Sequence, residues 1–277
     1  MTESSIPIKI GSKNLRVLTT ADAEKIVKSI MAMAPAVAAP AGPVAEIAIK
    51  PGVERWDVKT GNDADVGDVG QNAVDGSTLL GIVPTTVEEM VNMPRPDDSN
   101  HPLPATPTSG FNQWWYEHRI RSVETTIWQL EADIVAVKLE ADGDQHLVLQ
   151  GDSGETMIGE VPDPDPEFIK DSPWAANIRA AREVVNGIIG AKVAAQPFVQ
   201  GPGKYLLPAS TMPQPGGPAP AAPVVNVGPD TTRPFKSKVR QRVTVTGVGF
   251  FDVVHGQMGV SQSNGIELHP VLDIQLK

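Results

Sequence analysis

Cysteine is absent from the chain of 277 residues. Its absence excludes disulfide staples, thiolate metal sites and cysteine nucleophiles. It leaves the compartment open, since a cysteine-free chain folds in reducing or oxidising surroundings alike. Aromatic residues are scarce, at 5%. Positive charge is also short: 23 Lys and Arg face 33 Asp and Glu, a formal net charge of −10. A phosphate backbone repels such a chain unless its basic residues gather on one face. The one dense basic run is Lys236, Lys238, Arg240 and Arg242. Alternation along a strand start puts these on one side, where solvated charges that keep a strand edge from aggregating are the simpler reading. Nucleic acid is therefore not the expected partner. No apolar run reaches the ~20 residues of a membrane helix, because Pro35, Pro40, Gly42 and Pro43 break the stretch 30–49. Residues 1–13 are polar and mixed, without the apolar region of a signal peptide. The expectation is a soluble, cytoplasmic chain with no membrane insertion.

What the chain does have is 25 Gly and 26 Pro in clusters, which imply a compact domain mixed with extended stretches. Residues 1–34 read as an arm. A strand pair turns at Gly11-Ser12, and Thr20 then opens a helix with Asp22 and Glu24 in its first turn and Ile26, Val27, Ile30, Met31 and Met33 on one face. Residues 35–52 are a Pro/Ala linker. Residues 53–118 form an irregular segment that packs on, or leads to, a barrel made by residues 119–277. It contains an anchor at Glu54-Arg-Trp-Asp-Val-Lys59, a short helix after Pro84 that Pro94 stops, and an aromatic cluster at Trp114-Trp115-Tyr116, read as cover for the barrel's side. Asp63, Asp65 and Asp68 resemble a calcium loop, yet Gly67 falls one place early and Val74 stands where an EF-hand needs Glu. A solvated loop is expected there.

Residues 119–277 carry the clearest periodicity. Ile127, Trp128, Leu130, Ile134, Val135, Val137 and Leu139 make a long strand, with a phase slip at 131–133 that calls for a bulge. Asp142-Gly143 is a hairpin turn, 146–149 a second strand, Asp152-Ser-Gly154 a turn, and 156–161 a third strand. A helix comes next, with Ser172 as cap, Pro173 at its first position, Gly190 at its end, and Trp174, Ile178, Ala181 and Val185 on one face. After a Pro-rich insertion at 201–234 come strands at 241–251 and 266–276. The order β-β-β-α-β-β predicts a mainly β fold with one or two helices: an OB-like five-stranded barrel, its helix closing one end, plus extended Pro-rich segments.

The segments His146-Leu-Val-Leu149, Thr156-Met-Ile-Gly-Glu-Val-Pro162, Thr246-Gly-Val-Gly-Phe-Phe-Asp252, His255-Gly-Gln257 and Glu267-Leu-His-Pro-Val-Leu272 resemble a family of uncharacterised bacterial proteins. Glu54-Arg55, Val58-Lys-Thr60 and Val83-Pro-Thr-Thr86 resemble its upstream part, so the likeness spans about 53–274. It implies no activity. The strand order is similar to the staphylococcal nuclease variety of OB barrel, but the arginine-rich catalytic pattern of that nuclease is not visible here.

The side chains suited to chemistry are His146, His255, Glu267 and His269, with Glu160. Imidazoles and carboxylates bind zinc or manganese and serve as acids and bases, and strand ends can bring them together in a barrel. A second set, for binding, comprises His255, Gly256 and Gln257 in the loop between the last two strands, with Asp142 and Asp144 on the first hairpin. That loop contacts ligands in many OB barrels. The plainer readings are turn chemistry for the Asp pair and a hydrogen-bond network that fixes strand register for the His/Glu set. No phosphate loop, nucleophile elbow or His-Glu-x-x-His helix is present. No cofactor is expected, a divalent metal being the one that these side chains could hold. The leading expectation is a non-enzymatic binding or interaction module, with a protein partner or self-association through the Pro-rich arms. The alternatives are a metal-dependent hydrolase, phosphodiesterase- or nuclease-like, built on the His/Glu/Asp cluster, and a single-stranded nucleic-acid binder.

Overall fold

The computed structural model describes residues 6–32, 55–74, 77–94, 118–140, 143–164, 169–194, 241–252, 254 and 257–277. β1 (Ile8–Ile10) and β2 (Lys13–Leu15) pair antiparallel about Gly11. α1 (Thr20–Met31) follows, and its cap is Thr19 rather than Thr20: the Thr19 hydroxyl accepts the Asp22 N–H at 3.2 Å. Ala23, Ile26 and Ile30 bury one face of this helix.

Downstream lie α2 (Trp56–Thr60), the antiparallel pair β3 (Gln71–Val74) and β4 (Ser77–Leu80), β5 (Ile82–Pro84) and α3 (Val87–Val91). Thr86 and Glu89 form a capping box on α3. The expected solvated Asp loop is instead partnered. Asp63 is buried, and its carboxylate takes Arg119 Nε at 3.0 Å and Nη2 at 2.6 Å. Asp65 accepts the Arg119 N–H at 3.0 Å. Arg119 lies far along the chain, so spacing around the Asp residues held no trace of it.

The barrel consists of β6 (Ile127–Leu139), β7 (Gln145–Gln150), β8 (Thr156–Val161), β9 (Gln241–Phe251) and β10 (Ile266–Leu276). Its strand order is β6-β7-β8-β10-β9, and β9 pairs back onto β6 to close it. The β8–β10 contact is parallel and the other four are antiparallel, the wiring of an OB barrel. Closure depends on β6 serving two neighbours. Its first part pairs with β9, its last part with β7, and Asp133 and Ile134 pair with both. The bulge lies at this handover, between Ile134 and Ala136, rather than at 131–133. A strand that changes partners must bend, and an unpaired residue lets it do so. β5 extends the sheet by pairing parallel to the start of β6.

Leu130, Ala132, Leu147, Leu149, Met157, Val161, Val245 and Leu268 fill the interior. α4 (Ala175–Ala194) adds Ile178, Ala181, Val185 and Ile188 to that core. Arg182 donates to the carbonyls of Gly143 at 2.7 Å and of Val161 and Pro162 at 3.2 Å, holding the helix at the end where β7 begins and β8 stops. The helix starts after Pro173 and runs through Gly190 to Ala194, since an interior glycine costs only about 1 kcal/mol. Four α-helices are thus described: α1, α3 and α4 match the helices read from the sequence, and α2 is an addition. Among the described residues no helix is long and apolar enough to cross a membrane. The insertion at 201–234, Lys236, Lys238, Arg240 and Trp114-Trp115-Tyr116 lie outside the described residues. Arg242, the described member of the basic run, pairs with Asp152 at 2.7 Å and Glu131 at 3.5 Å.

Candidate functional site

Strand alternation decides which residues leave the barrel interior. Leu147 and Leu149 belong to the core, so His146 and Val148 face outward. Met157 and Val161 face in, and Ile158 and Glu160 face out. Ile266 and Leu268 face in, and Glu267 and His269 face out. Register then aligns them. His146 is the partner of Glu160 across β7–β8, and Leu268 is the partner of Gly159 across β8–β10, so His269 lies beside Glu160. One row, His146-Glu160-His269, crosses three adjacent strands on the outer face.

Glu160 is shared by the two imidazoles. Its Oε1 is 2.9 Å from His146 Nδ1, and its Oε2 is 3.0 Å from His269 Nδ1. Flanking carboxylates complete the set. Glu140 Oε1 is 3.5 Å from His146 Nδ1, Asp144 Oδ2 is 3.5 Å from His269 Nε2, and Glu267 Oε2 is 4.0 Å from His269 Nδ1. The donor atoms of Glu140, His146 and Glu160 lie within 4.8 Å of one another, as do those of Asp144, Glu160 and His269. Imidazole with carboxylate is a donor set that zinc accepts.

A roof covers this face. The connection after β9 lays the Met258 carbonyl 2.8 Å from His146 Nε2. Gly259, at φ +83°, packs so close that a Cβ there would meet Val148 at 2.6 Å. α2 closes the other side: Arg55 Cζ and Lys59 Nζ stand 4.6 and 5.5 Å from the centre of the Phe250 ring, which in turn packs against His269 at 5.4 Å. Two buried pairs hold α2 there. Arg55 grips Glu124 with two bonds of 2.7 Å, and Arg119 grips Asp63. His269 is fully buried and His146 is 2% exposed, while Glu160 and Glu140 are 13% and 27% exposed, so the cluster meets solvent along its Glu edge.

Burial by itself would strip the charge from these groups. For both histidines the Glu160 carboxylate outweighs burial and raises the pKa; Met258 and Glu140 add to this at His146, as Asp144 does at His269. For Glu160, burial is outweighed by His269, His146 and Lys59, which hold its carboxyl well below the usual range. The raised imidazoles contribute stability that is complete below their ordinary value of 6.5 and is lost as pH rises through the folded values. Glu160 contributes stability present above its ordinary 4.5 and lost as pH falls through its depressed value. Urea midpoints of chelator-treated protein are therefore expected to fall on the alkaline side of 6.5 and again on the acid side of 4.5. A midpoint unchanged from about pH 6 to 9 would contradict the paired imidazoles.

Of the residues singled out in the sequence, His146, Glu160, Glu267 and His269 come together, and Asp144 joins them. Asp144 is no exposed turn residue: it is buried, with Oδ1 accepting the Asp163 N–H at 2.9 Å. Gln257 donates to Asp252 Oδ2 at 3.0 Å, tying the connection to the end of β9. His255, Gly256 and Asp142 lie outside the described residues. Sequence reasoning missed Glu140 and Lys59. Lys59 reaches the cluster because α2 lies against Phe250, a contact between distant segments that no local spacing records. Comparison with models of known protein families, with curated proteins and with solved structures finds no match for this chain, so its functional reading rests on this geometry.

Proposed function

We propose that the protein is a metal-dependent hydrolase acting on phosphate esters, with its centre at the His146-Glu160-His269 row. One observation carries the reading: three strands and the first hairpin deliver two imidazoles and four carboxylates to one buried patch with a solvent-reaching edge. The patch occupies the outer strand face, beneath the connection between the last two strands, that OB barrels use for ligands. A bound divalent ion supplies polarisation of a phosphoryl oxygen and acidification of a water. The residues suited to hold it are His146, His269, Glu160, Glu140 and Asp144, and Lys59 adds positive charge beside Glu160. The bacterial family that the segments bearing His146, Glu160, Glu267 and His269 resemble is proposed to share this centre. The test is hydrolysis of bis(p-nitrophenyl) phosphate by the full chain with Mn²⁺ or Zn²⁺. Turnover that chelation abolishes is expected. Absence of turnover above the metal-only blank, in protein shown to carry metal, would end the hydrolase reading.

The second reading is a non-enzymatic binding module. His146 favours it: both ring nitrogens meet acceptors, Glu160 and the Met258 carbonyl, as in a network built to pin the roof over the sheet. A metal-free protein that captures a partner from its own cell extract through this face, and loses it when the roof is altered at Gly259, is the result that this reading expects.

A further inference from the structure

Resting on the hydrolase reading, we propose that the cluster holds two divalent ions, with Glu160 as the carboxylate that bridges them and a phosphate ester as the substrate that completes their coordination. The two oxygens of Glu160 have different neighbours: Oε1 faces His146 on β7, and Oε2 faces His269 on β10. Each imidazole has a second carboxylate of its own, Glu140 beside His146 and Asp144 beside His269. The result is two half-sites, each one imidazole and one carboxylate, that meet at a shared Glu. A carboxylate bridging in this way spans two ions about 3.5–4 Å apart, the separation of two-metal hydrolytic centres.

A second, independent feature points to a ligand on the inner side. His269 is fully buried, yet neither ring nitrogen makes a hydrogen bond of ordinary alignment. Its Nε2 stands 3.5 Å from Asp144 Oδ2, too far for a strong bond. A buried imidazole with no aligned hydrogen bond to the carboxylates beside it has the arrangement of a metal ligand, which needs an ion between the groups rather than a proton.

Charge admits both ions. The carboxylates of Glu140, Asp144, Glu160 and Glu267 balance two divalent ions when both imidazoles are neutral ligands. Lys59 beside Glu160 then adds a positive charge at the centre, which attracts an anionic phosphate ester. Lys138, 3.0 Å from Glu140, is the cation that the outer ion displaces. The two half-sites also differ in access. Glu140 is partly exposed, whereas His269 and Asp144 are buried, so the outer ion keeps more open positions than the inner one.

The experiment is Mn²⁺ binding to the chelator-stripped full chain, followed by calorimetry and by electron paramagnetic resonance. Two equivalents with spin-coupled Mn²⁺ are expected. Glu140→Gln, at a partly exposed position, is expected to bind one equivalent, with an uncoupled signal. One equivalent in the unaltered protein overturns the ion pair and leaves a single-ion hydrolase standing, and two equivalents retained in E140Q overturn Glu140 as the carboxylate of the outer half-site. No binding at all removes the hydrolase reading together with the pair.

Discussion

Glu160→Gln is expected to lower metal-dependent phosphodiester hydrolysis at least about 100-fold, since outer-shell partners of metal ligands are already worth about 10–100-fold. The reason is positional. Glu160 is the one described side chain within hydrogen-bond reach of both imidazoles, at 2.9 and 3.0 Å. Gln keeps the shape, but it offers one oxygen and no charge. It cannot serve two ligand sets. The same change removes the anion that raises the pKa of His146 and His269, so both are expected to titrate lower. NMR titration of the ring protons separates a local loss of charge from unfolding. An E160Q protein that retains more than about a tenth of its activity would show that the row is not the reacting centre.

The largest effect on stability is expected from Arg55→Ala, a loss of about 3–5 kcal/mol, because breaking a buried ion pair from one side leaves the other charge unpaired in a low-dielectric site. Arg55 has no solvent exposure. Besides its two bonds to Glu124, it donates to the carbonyls of Phe251 at 3.3 Å and His118 at 3.2 Å, and it stacks on Phe250. Glu124 retains the N–H groups of Ile120 at 2.7 Å and Phe251 at 2.8 Å, which places the cost toward the lower part of that range. Such a loss is a large share of the total for a single domain, about 5–15 kcal/mol. Urea unfolding measures it directly, and a change under about 1 kcal/mol would mean that α2 is held by packing alone. Because α2 also carries Lys59 toward Glu160, R55A should weaken the cluster even where the barrel survives.

The strands were legible because each has a buried face and a short period. The alternation around Val243 and Val245, or around Leu147 and Leu149, is the direct imprint of a two-sided strand, and Gly143 and Gly154, both at positive φ, mark turns that other residues resist. From five strands and one interposed helix the barrel follows. A boundary that depends on a partner was not legible: the bulge of β6 is set by where β9 hands over to β7.

The sequence by itself determined the types of side chain available and the face of the strand on which each stands, because pleat and residue identity are local properties. It therefore marked His146, Glu160, Glu267 and His269 as candidates. Only the tertiary structure decided that they meet, that Glu140 and Lys59 belong with them, and that the Asp63 and Glu124 carboxylates answer to arginines instead. Cross-strand register and buried charge pairing act between residues far apart in the chain, and no local pattern records which distant partner will neutralise a charge once water is gone.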